Sequence, residues 1–344
     1  LMPQLEGLED FSGPAFHSAR WQHDVDLSGK HVAVIGTGAS AIQFVPQIVP
    51  QVASLALFQR SAPYVIPKDD RQYDDNKRAR LARFGWLHQL DRVWQYCTHE
   101  VRALGFVYFP KLVKQTEKVA LNHMRKHITD PQKRAALTPD YPMGCKRILI
   151  SNNYYPALAD EKVELITDAI ERVVPEGVQT RDGQLHPADV LIYGTGFAAT
   201  EFLSPMQITG LQGQDLNHAW QSGAEAYKGI CISGFPNLFM LYGPNTNLGH
   251  NSIIYMLESQ FSYIVQCVQT LQRRRLRYLN VRAEAQSSYN QGIQHTAKRT
   301  VWAQGCSSWY LTAEGKQTVN WPGFTFAYRH LTRKPRLTDY DCVR

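Results

Sequence analysis

No apolar stretch in the 344-residue chain reaches the ~18 residues that a membrane-crossing helix needs. The opening residues, LMPQLEGLEDF, are polar and acidic, so no secretory leader is legible. Six cysteines (Cys97, Cys145, Cys231, Cys267, Cys306, Cys342) are scattered without Cys-x-x-Cys spacing. That spacing argues against a zinc site, a redox dithiol and a disulfide framework. It fits a reducing compartment, and a cytoplasmic location is expected. No metal-ligating histidine set and no Gly-x-Ser-x-Gly nucleophile elbow stands out, so metalloenzyme and serine-hydrolase chemistry are set aside. Internal repeats and low-complexity tracts are absent too.

Charged residues make up only 19% against 44% hydrophobic, which places the chain among folded globular proteins. Its length allows two domains. The net charge of +7 favours anionic ligands. The densest basic runs, LQRRRLR (271–277) and RHLTRKPR (329–336), read as a solvated helix end and a surface tail rather than as a nucleic-acid patch.

The most informative stretch is HVAVIGTGASAIQFVPQIV. An apolar run ending in glycine (31–36) reads as a buried parallel strand, and the small and apolar residues after it read as a helix that Pro46 should kink. SLALFQ (54–59) is the second strand of a βαβ unit. Between strand and helix lie Gly36, Thr37, Gly38, Ala39, Ser40 and Ala41, a Gly-x-Gly-x-x-Ala loop in the context that a phosphate cradle requires. Gly36 permits the tight turn, Gly38 lets a pyrophosphate approach the backbone, and Ala41 is small enough for helix–strand packing. The helix N-terminus adds unpaired N–H groups and partial positive charge. An NAD site would place an acidic residue at the end of the second strand. Here the chain has Gln59-Arg60-Ser61 instead. Arg60 offers a guanidinium to a 2′-phosphate and Ser61 adds a hydroxyl, so the expected nucleotide is NADPH.

Residues 68–140 are amphipathic and charge-rich, as a helical insertion is. Short strands follow, with Asp182-Gly183 as a hairpin signal, then a buried strand ending in Gly194-Thr195-Gly196. FPNLFMLYGPNTNLGHNSIIYMLESQF reads as strand, Gly-Pro-Asn turn and long helix, with His250 and Glu258 taken as structural. A mixed segment and a polar tail end the chain.

Just before the βαβ unit stands Phe11-x-Gly13-x-x-x-His17-x-x-x-Trp21. With the glycine loop it resembles the signature of the Baeyer–Villiger monooxygenases, a branch of the flavin-containing monooxygenases. Four further segments resemble that family in order: GCKRILISNNYYPAL (144–158), ADVLIYGTGF (188–197), GFPNLFMLYGPNTNLGHNSI (234–253) and SSWY (307–310). The resemblance implies an α/β flavoprotein with two Rossmann-like dinucleotide-binding domains, using FAD and NADPH. NADPH reduces the flavin, reduced flavin takes O₂ to a C4a-peroxide, and one oxygen is inserted into a ketone to give an ester or lactone. It implies Arg147 as the catalytic cation and Lys146 as a second contact to the 2′-phosphate. Trp309 would close over the nicotinamide-side ribose. Thr195, Gly196 and Asn245 would allow close backbone approach on the flavin side. Phe11, Gly13, His17 and Trp21 would form a hinge.

The division that follows is a linker or hinge over 1–24, an NADP-binding domain over 25–185 with the insertion at about 68–140, and the C-terminal part of an FAD-binding domain over 186–344. A first glycine loop, for FAD, should precede FSGP, and the residues before position 31 are too few for a βαβ unit. The chain is therefore expected to lack roughly one domain of ~100–150 residues at its N-terminus. Alone it should bind FAD weakly or not at all while keeping NADPH. Alternatives are an N- or S-monooxygenase of the wider family and a noncatalytic NADP-binding remnant. The expected partners are O₂ and a lipophilic ketone, sulfide or amine, with no nucleic acid and no membrane span.

Overall fold

The computed structural model describes every residue except Leu1, Arg71, Gln304, Cys306 and Ser307. Ser307 of the SSWY segment and one of the six cysteines therefore lie outside the described residues. The chain divides into two compact units. The first comprises the residues up to Asp70, Lys114–Met143 and Arg147–Ala198. The second comprises 72–113, Gly144–Lys146 and Ala199–Arg344.

Unit one is built on a five-stranded parallel sheet. Along the chain come β1 (Ala15–His17), β2 (His31–Ile35), α1 (Ala41–Ile48), β3 (Ser54–Phe58) and the two-residue β4 (Val65–Ile66). Next come most of α4 (Val113–His127), then α5 (Pro131–Ala136), β5 (Leu149–Ile150), α6 (Tyr154–Leu158), β6 (Val163–Ile166) and β10 (Val190–Tyr193). The spatial order of the sheet is β1-β10-β2-β3-β6. Strand succession runs one way from β2 to β3 to β6 and the other way from β2 to β10. The carboxyl ends of β2 and β10 thus flank a topological switch point, where open α/β sheets hold ligands.

The apolar run of β2 reflects burial on both faces. Val32 and Val34 point to one core with Ile42 and Val45 of α1, Met124 of α4 and Leu158 of α6. Ala33 and Ile35 point to a second core with Phe58, Val173, Val178 and Leu191. That second face is covered by an antiparallel meander, β7 (Ile170–Val174), β8 (Gly177–Thr180) and β9 (Leu185–Pro187), which replaces a helix in the connection from β6 to β10. Its expected hairpin is present: Asp182 Oδ1 accepts from Thr180 Oγ1 and Gln184 N–H, and Gly183 takes φ +87°. Helix α1 runs on through Pro46, and Val49 N–H still reaches the Val45 carbonyl at 3.1 Å.

The structure corrects two boundaries. Residues 190–193 do not begin a C-terminal domain; β10 pairs with β2 in the middle of this sheet. The first 24 residues are not only a linker, because β1 pairs with the free side of β10. The Gly194-Thr195-Gly196 turn was assigned by family resemblance to the C-terminal part, whereas the strand feeding it is fixed by backbone pairing on both sides.

Unit two holds α2 (Asp75–Arg83) and α3 (Gly85–Glu100); the charge-rich insertion is helical, but this part of it groups with unit two rather than with the glycine-loop unit. It continues with α7 (Leu216–Ala219), the antiparallel pair β11 (Cys231–Ile232) and β12 (Phe235–Phe239), the long α8 (Ile253–Arg274), β13 (Tyr278–Val281), α9 (Ala283–Ala297) and α10 (Thr325–Leu331). The expected polar tail instead ends in β14 (Tyr340–Val343), antiparallel to β13. Tyr340 anchors it, buried against Tyr263, Cys267 and Val281, while Asp341 and Cys342 are exposed. Cys145 is disulfide-bonded, a departure from the cross-link-free chain expected, whereas Cys97, Cys231, Cys267 and Cys342 are free.

Candidate functional site: a dinucleotide cradle at the switch point of unit one

Strand β2 ends at Ile35, and Gly36 N–H still reaches the Phe58 carbonyl of β3 at 3.0 Å. Gly36 then turns with φ +107°, and a Cβ there would lie 2.6 Å from the Gly194 carbonyl oxygen. The tight turn thus exists because two backbones pass within touching distance, and any side chain at position 36 would part them. Gly38 differs, because a Cβ there would meet nothing within 4 Å. It is exposed, and space lies in front of its backbone. The first backbone bonds of α1 are Ile42 N–H to Gly38 and Gln43 N–H to Ser40, at 3.1 and 3.0 Å. The N–H groups of Gly38 to Ala41 precede that ladder, as the first groups of any helix do. Ala41 is fully buried, and a Cβ on Gly194 would touch its methyl at 3.7 Å, which accounts for the small third residue.

The loop is tied to the end of β3. Thr37 is buried, and its hydroxyl donates to the Ser61 carbonyl at 3.4 Å. Arg60, next to that carbonyl, is exposed and has no ion-pair partner among the described residues. The segment after Ser61 is held by a reciprocal tyrosine pair: Tyr64 donates to the Tyr141 carbonyl and Tyr141 to the Ala62 carbonyl, both at 3.0 Å. Burial and the nearby Glu117 carboxylate push the Tyr64 phenol up to about 12, so it stays a donor at neutral pH.

The Phe11–Trp21 motif wraps around β10. A Cβ on Gly13 would lie 2.2 Å from the Asp189 carbonyl oxygen, at the strand's start. At its end, His17 Nε2 lies 3.1 Å from the Gly196 carbonyl. The His17 tautomer follows from its second bond: Nδ1 accepts from Ala19 N–H at 3.1 Å, so Nε2 carries the proton and donates to Gly196. Burial, and then neighbouring positive charge, lower the His17 pKa, which favours that neutral form. Trp21 stacks edge-on between Phe16 and Phe44 of α1, at 5.2 and 5.4 Å. Phe11 packs on the meander side of the sheet. Unit one therefore brings Gly36–Ser40, Ser61, Gly194–Gly196 and His17 into one bonded assembly.

Other expected residues lie elsewhere. Arg147 is exposed in unit one, two residues before β5, and β5 runs parallel to β4. Lys146, Asn245 and Trp309 belong to unit two. Lys146 is half-buried. Trp309 is exposed and packs on Tyr310 at 4.3 Å. Asn245 has φ +59°, and its side chain is buried and committed: Nδ2 donates to the Gln317 carbonyl at 2.9 Å and to Gln317 Oε1 at 3.0 Å. Its backbone N–H is committed too, donating to the Thr318 carbonyl at 2.9 Å.

Sequence reasoning missed Gln317, Asn320 and Glu100. Asn247 Nδ2 donates to Asn320 Oδ1 at 2.6 Å, and Glu100 receives Thr325 N–H and Oγ1. Partners this distant in sequence leave no local signal. His123 and His127 stand one turn apart on α4, a spacing the sequence reading passed over. His123 Nε2 lies 2.9 Å from the Ser151 carbonyl, and no cluster of three metal-ligating side chains occurs among the described residues. No described helix is long and apolar enough to cross a membrane.

These features define a dinucleotide-binding α/β protein. No family model matches the chain. It is 48% identical over 334 residues to a Baeyer–Villiger monooxygenase of Pseudomonas aeruginosa, covering 96% of this chain and 63% of that protein. A Baeyer–Villiger monooxygenase of Streptomyces coelicolor is 41% identical, with 100% and 66% covered. An uncharacterised monooxygenase of Mycobacterium bovis is 34% identical, with 100% and 69% covered. The chain thus spans just under two thirds of the first two relatives. Among solved structures, a steroid monooxygenase bound to NADP superposes with a TM-score of 0.84 at 27% identity, over 100% of this chain and 73% of that one. Closed cyclohexanone monooxygenase shares the fold, with a TM-score of 0.85 at 23% identity over 99% and 72%. The chain belongs to the Baeyer–Villiger branch of the flavin-containing monooxygenase family.

Proposed function

We propose that this chain binds NADPH on the Gly36–Ala41 cradle and serves, with FAD, in the Baeyer–Villiger oxidation of a lipophilic ketone to an ester or lactone. One observation carries the nucleotide reading: the second strand of the βαβ unit ends in exposed Arg60, not in a carboxylate, beside a loop whose Gly38 faces open space. A 2′-phosphate there gains a charge-assisted, bidentate partner and meets no like charge.

The residues present fit a pyridine dinucleotide. Within unit one, Gly36 to Ser40 would take the pyrophosphate, and Arg60 and Ser61 the 2′-phosphate. For FAD, unit one supplies the backbone of Thr195 and Gly196. When bound, the nucleotide supplies hydride and the flavin supplies activated oxygen. Arg147 would contribute a guanidinium charge, suited to stabilising oxyanionic species as negative charge develops. His17 holds the Gly196 carbonyl, and Trp21 fixes the same segment to α1. Movement of the Phe11–Trp21 segment is therefore coupled to both glycine turns, which is how it would serve as a hinge.

Calorimetry tests the nucleotide reading. NADPH should bind at least ~10-fold more tightly than NADH, and Arg60→Ala should remove most of that preference, since a charged hydrogen bond is worth about 1.5–3 kcal/mol. Equal affinities would overturn it. Products formed from a ketone and from a sulfide, with NADPH and added FAD, test the reaction. Sulfoxide with no ester would move the chain to the S-oxygenating reading.

A further inference from the structure

Helix α3 is inside out. Trp86, Leu90, Val93, Trp94, Cys97 and Val101 recur at helical spacing along one face. All six are exposed, Trp86 at 62% and Trp94 at 68%. The helix holds the rest of unit two by its polar groups instead. Asp91 accepts from the Tyr73 hydroxyl at 2.6 Å. The Tyr96 hydroxyl lies 3.0 Å from Thr325 Oγ1, and its ring packs on Tyr255. Glu100 is buried and receives Thr325 N–H, Thr325 Oγ1 and Asn251 Nδ2. An ordinary surface helix does the reverse, and a contiguous apolar stripe of this kind marks a surface that is covered in use.

The charges around the stripe indicate what covers it. The two acids of α3, Asp91 and Glu100, are both turned into the protein. Arg80 and Arg83 at the end of α2, Arg92 on α3 and Arg102 just beyond it are exposed, and none has an ion-pair partner among the described residues. Arg83 lies over the exposed Phe84 ring at 5.3 Å, at the junction of the two helices. At the start of α2, Asp74 caps the helix through Lys77 N–H and Asp75 pairs with Arg78 at 3.7 Å, so the outward surface is tryptophan, aliphatic and net cationic. Indoles prefer the boundary between hydrocarbon and water, and arginines beside them meet lipid phosphates. A second copy of the chain is a poorer occupant, because two-fold pairing of this stripe would bring the same arginines together from both sides.

We propose that the α2–α3 face is a peripheral docking surface for an anionic lipid bilayer, entered by Trp86 and Trp94 without spanning it. This does not rest on the cofactor reading. The test is flotation of the full chain with vesicles of phosphatidylcholine alone or with ~30% phosphatidylglycerol. Binding should require the anionic lipid and weaken as salt rises. Trp86→Gln/Trp94→Gln and Arg80→Gln/Arg83→Gln should each lower the bound fraction about tenfold. Quenching of wild-type tryptophan fluorescence by brominated acyl chains gives a readout that needs no variant. No flotation and no quenching with anionic vesicles would overturn the proposal. So would a concentration-dependent dimer that the tryptophan variant abolishes, which would make the face a self-interface.

Discussion

Two turns follow apolar strands in this chain, and both read as ligand-binding in sequence. After β2, the Gly36–Ser40 turn keeps its space open: nothing stands within 4 Å of a Cβ on Gly38, and the helix that follows begins at once. After β12, the Gly243–Asn247 turn spends its side chains on the protein itself. Asn245 is consumed by Gln317, Asn247 by Asn320 and Tyr242, and α8 does not start until Ile253. The first is a cradle made of backbone and vacancy; the second is a knot made of side-chain amides. Residue types alone do not separate them. What separates them is whether the hydrogen-bonding capacity of the turn is already met from within.

Substitutions can break this contrast. The largest effect is expected at Gly36→Ala. The new methyl would press on the Gly194 carbonyl in a left-handed backbone, costing about 2–3 kcal/mol in urea unfolding and removing measurable NADPH binding. Full stability with normal binding would refute the close approach. In the knot's own unit, His250 has both ring nitrogens buried without partners, and burial lowers its pKa to about 4 from 6.5. The unfolded chain takes up that proton first as pH falls. Stability from neutral His250 is thus complete above pH 6.5 and is lost as pH drops toward 4, by up to about 3 kcal/mol. His250→Leu should flatten that part of the pH dependence; an unchanged slope would show that other groups own it.

Asn245→Ala should cost about 2 kcal/mol, because buried acceptors on Gln317 lose their donor, and should leave NADPH affinity where it was. A matching loss of affinity would mean that the knot and the cradle are one site. The smallest stability effect belongs to Gly38→Ala, within ~0.5 kcal/mol, since its Cβ enters open space. Its NADPH affinity should nonetheless fall about tenfold, because the methyl occupies the approach to the phosphates. Affinity unchanged at position 38 would remove the pyrophosphate from this loop.

The strand, glycine turn and helix were legible because they are local. Strand, glycines, helix and Arg60 lie within 30 residues, from His31 to Arg60, and the proposed chemistry depends on spacing. The helical insertion was legible by amphipathicity, although which face of α3 points inward was not, because contacts with Tyr73, Asn251, Tyr255 and Thr325 decide it. The placement of β10 was lost because its partners, β1 and β2, lie more than 150 residues upstream. The Glu100–Thr325 contact was hidden by a separation of 225 residues. Strand β14 reads as a tail because it is four residues long and only Tyr340 of it is buried.

The near-contact of Gly36 with the Gly194 carbonyl has a consequence for redesign. The partition between the two turns is thinner than a methyl group, so positions 36 and 194 cannot be varied one at a time. Libraries meant to change nucleotide preference should leave that wall intact and diversify Arg60 and Ser61, where the chain has room to accept a new side chain.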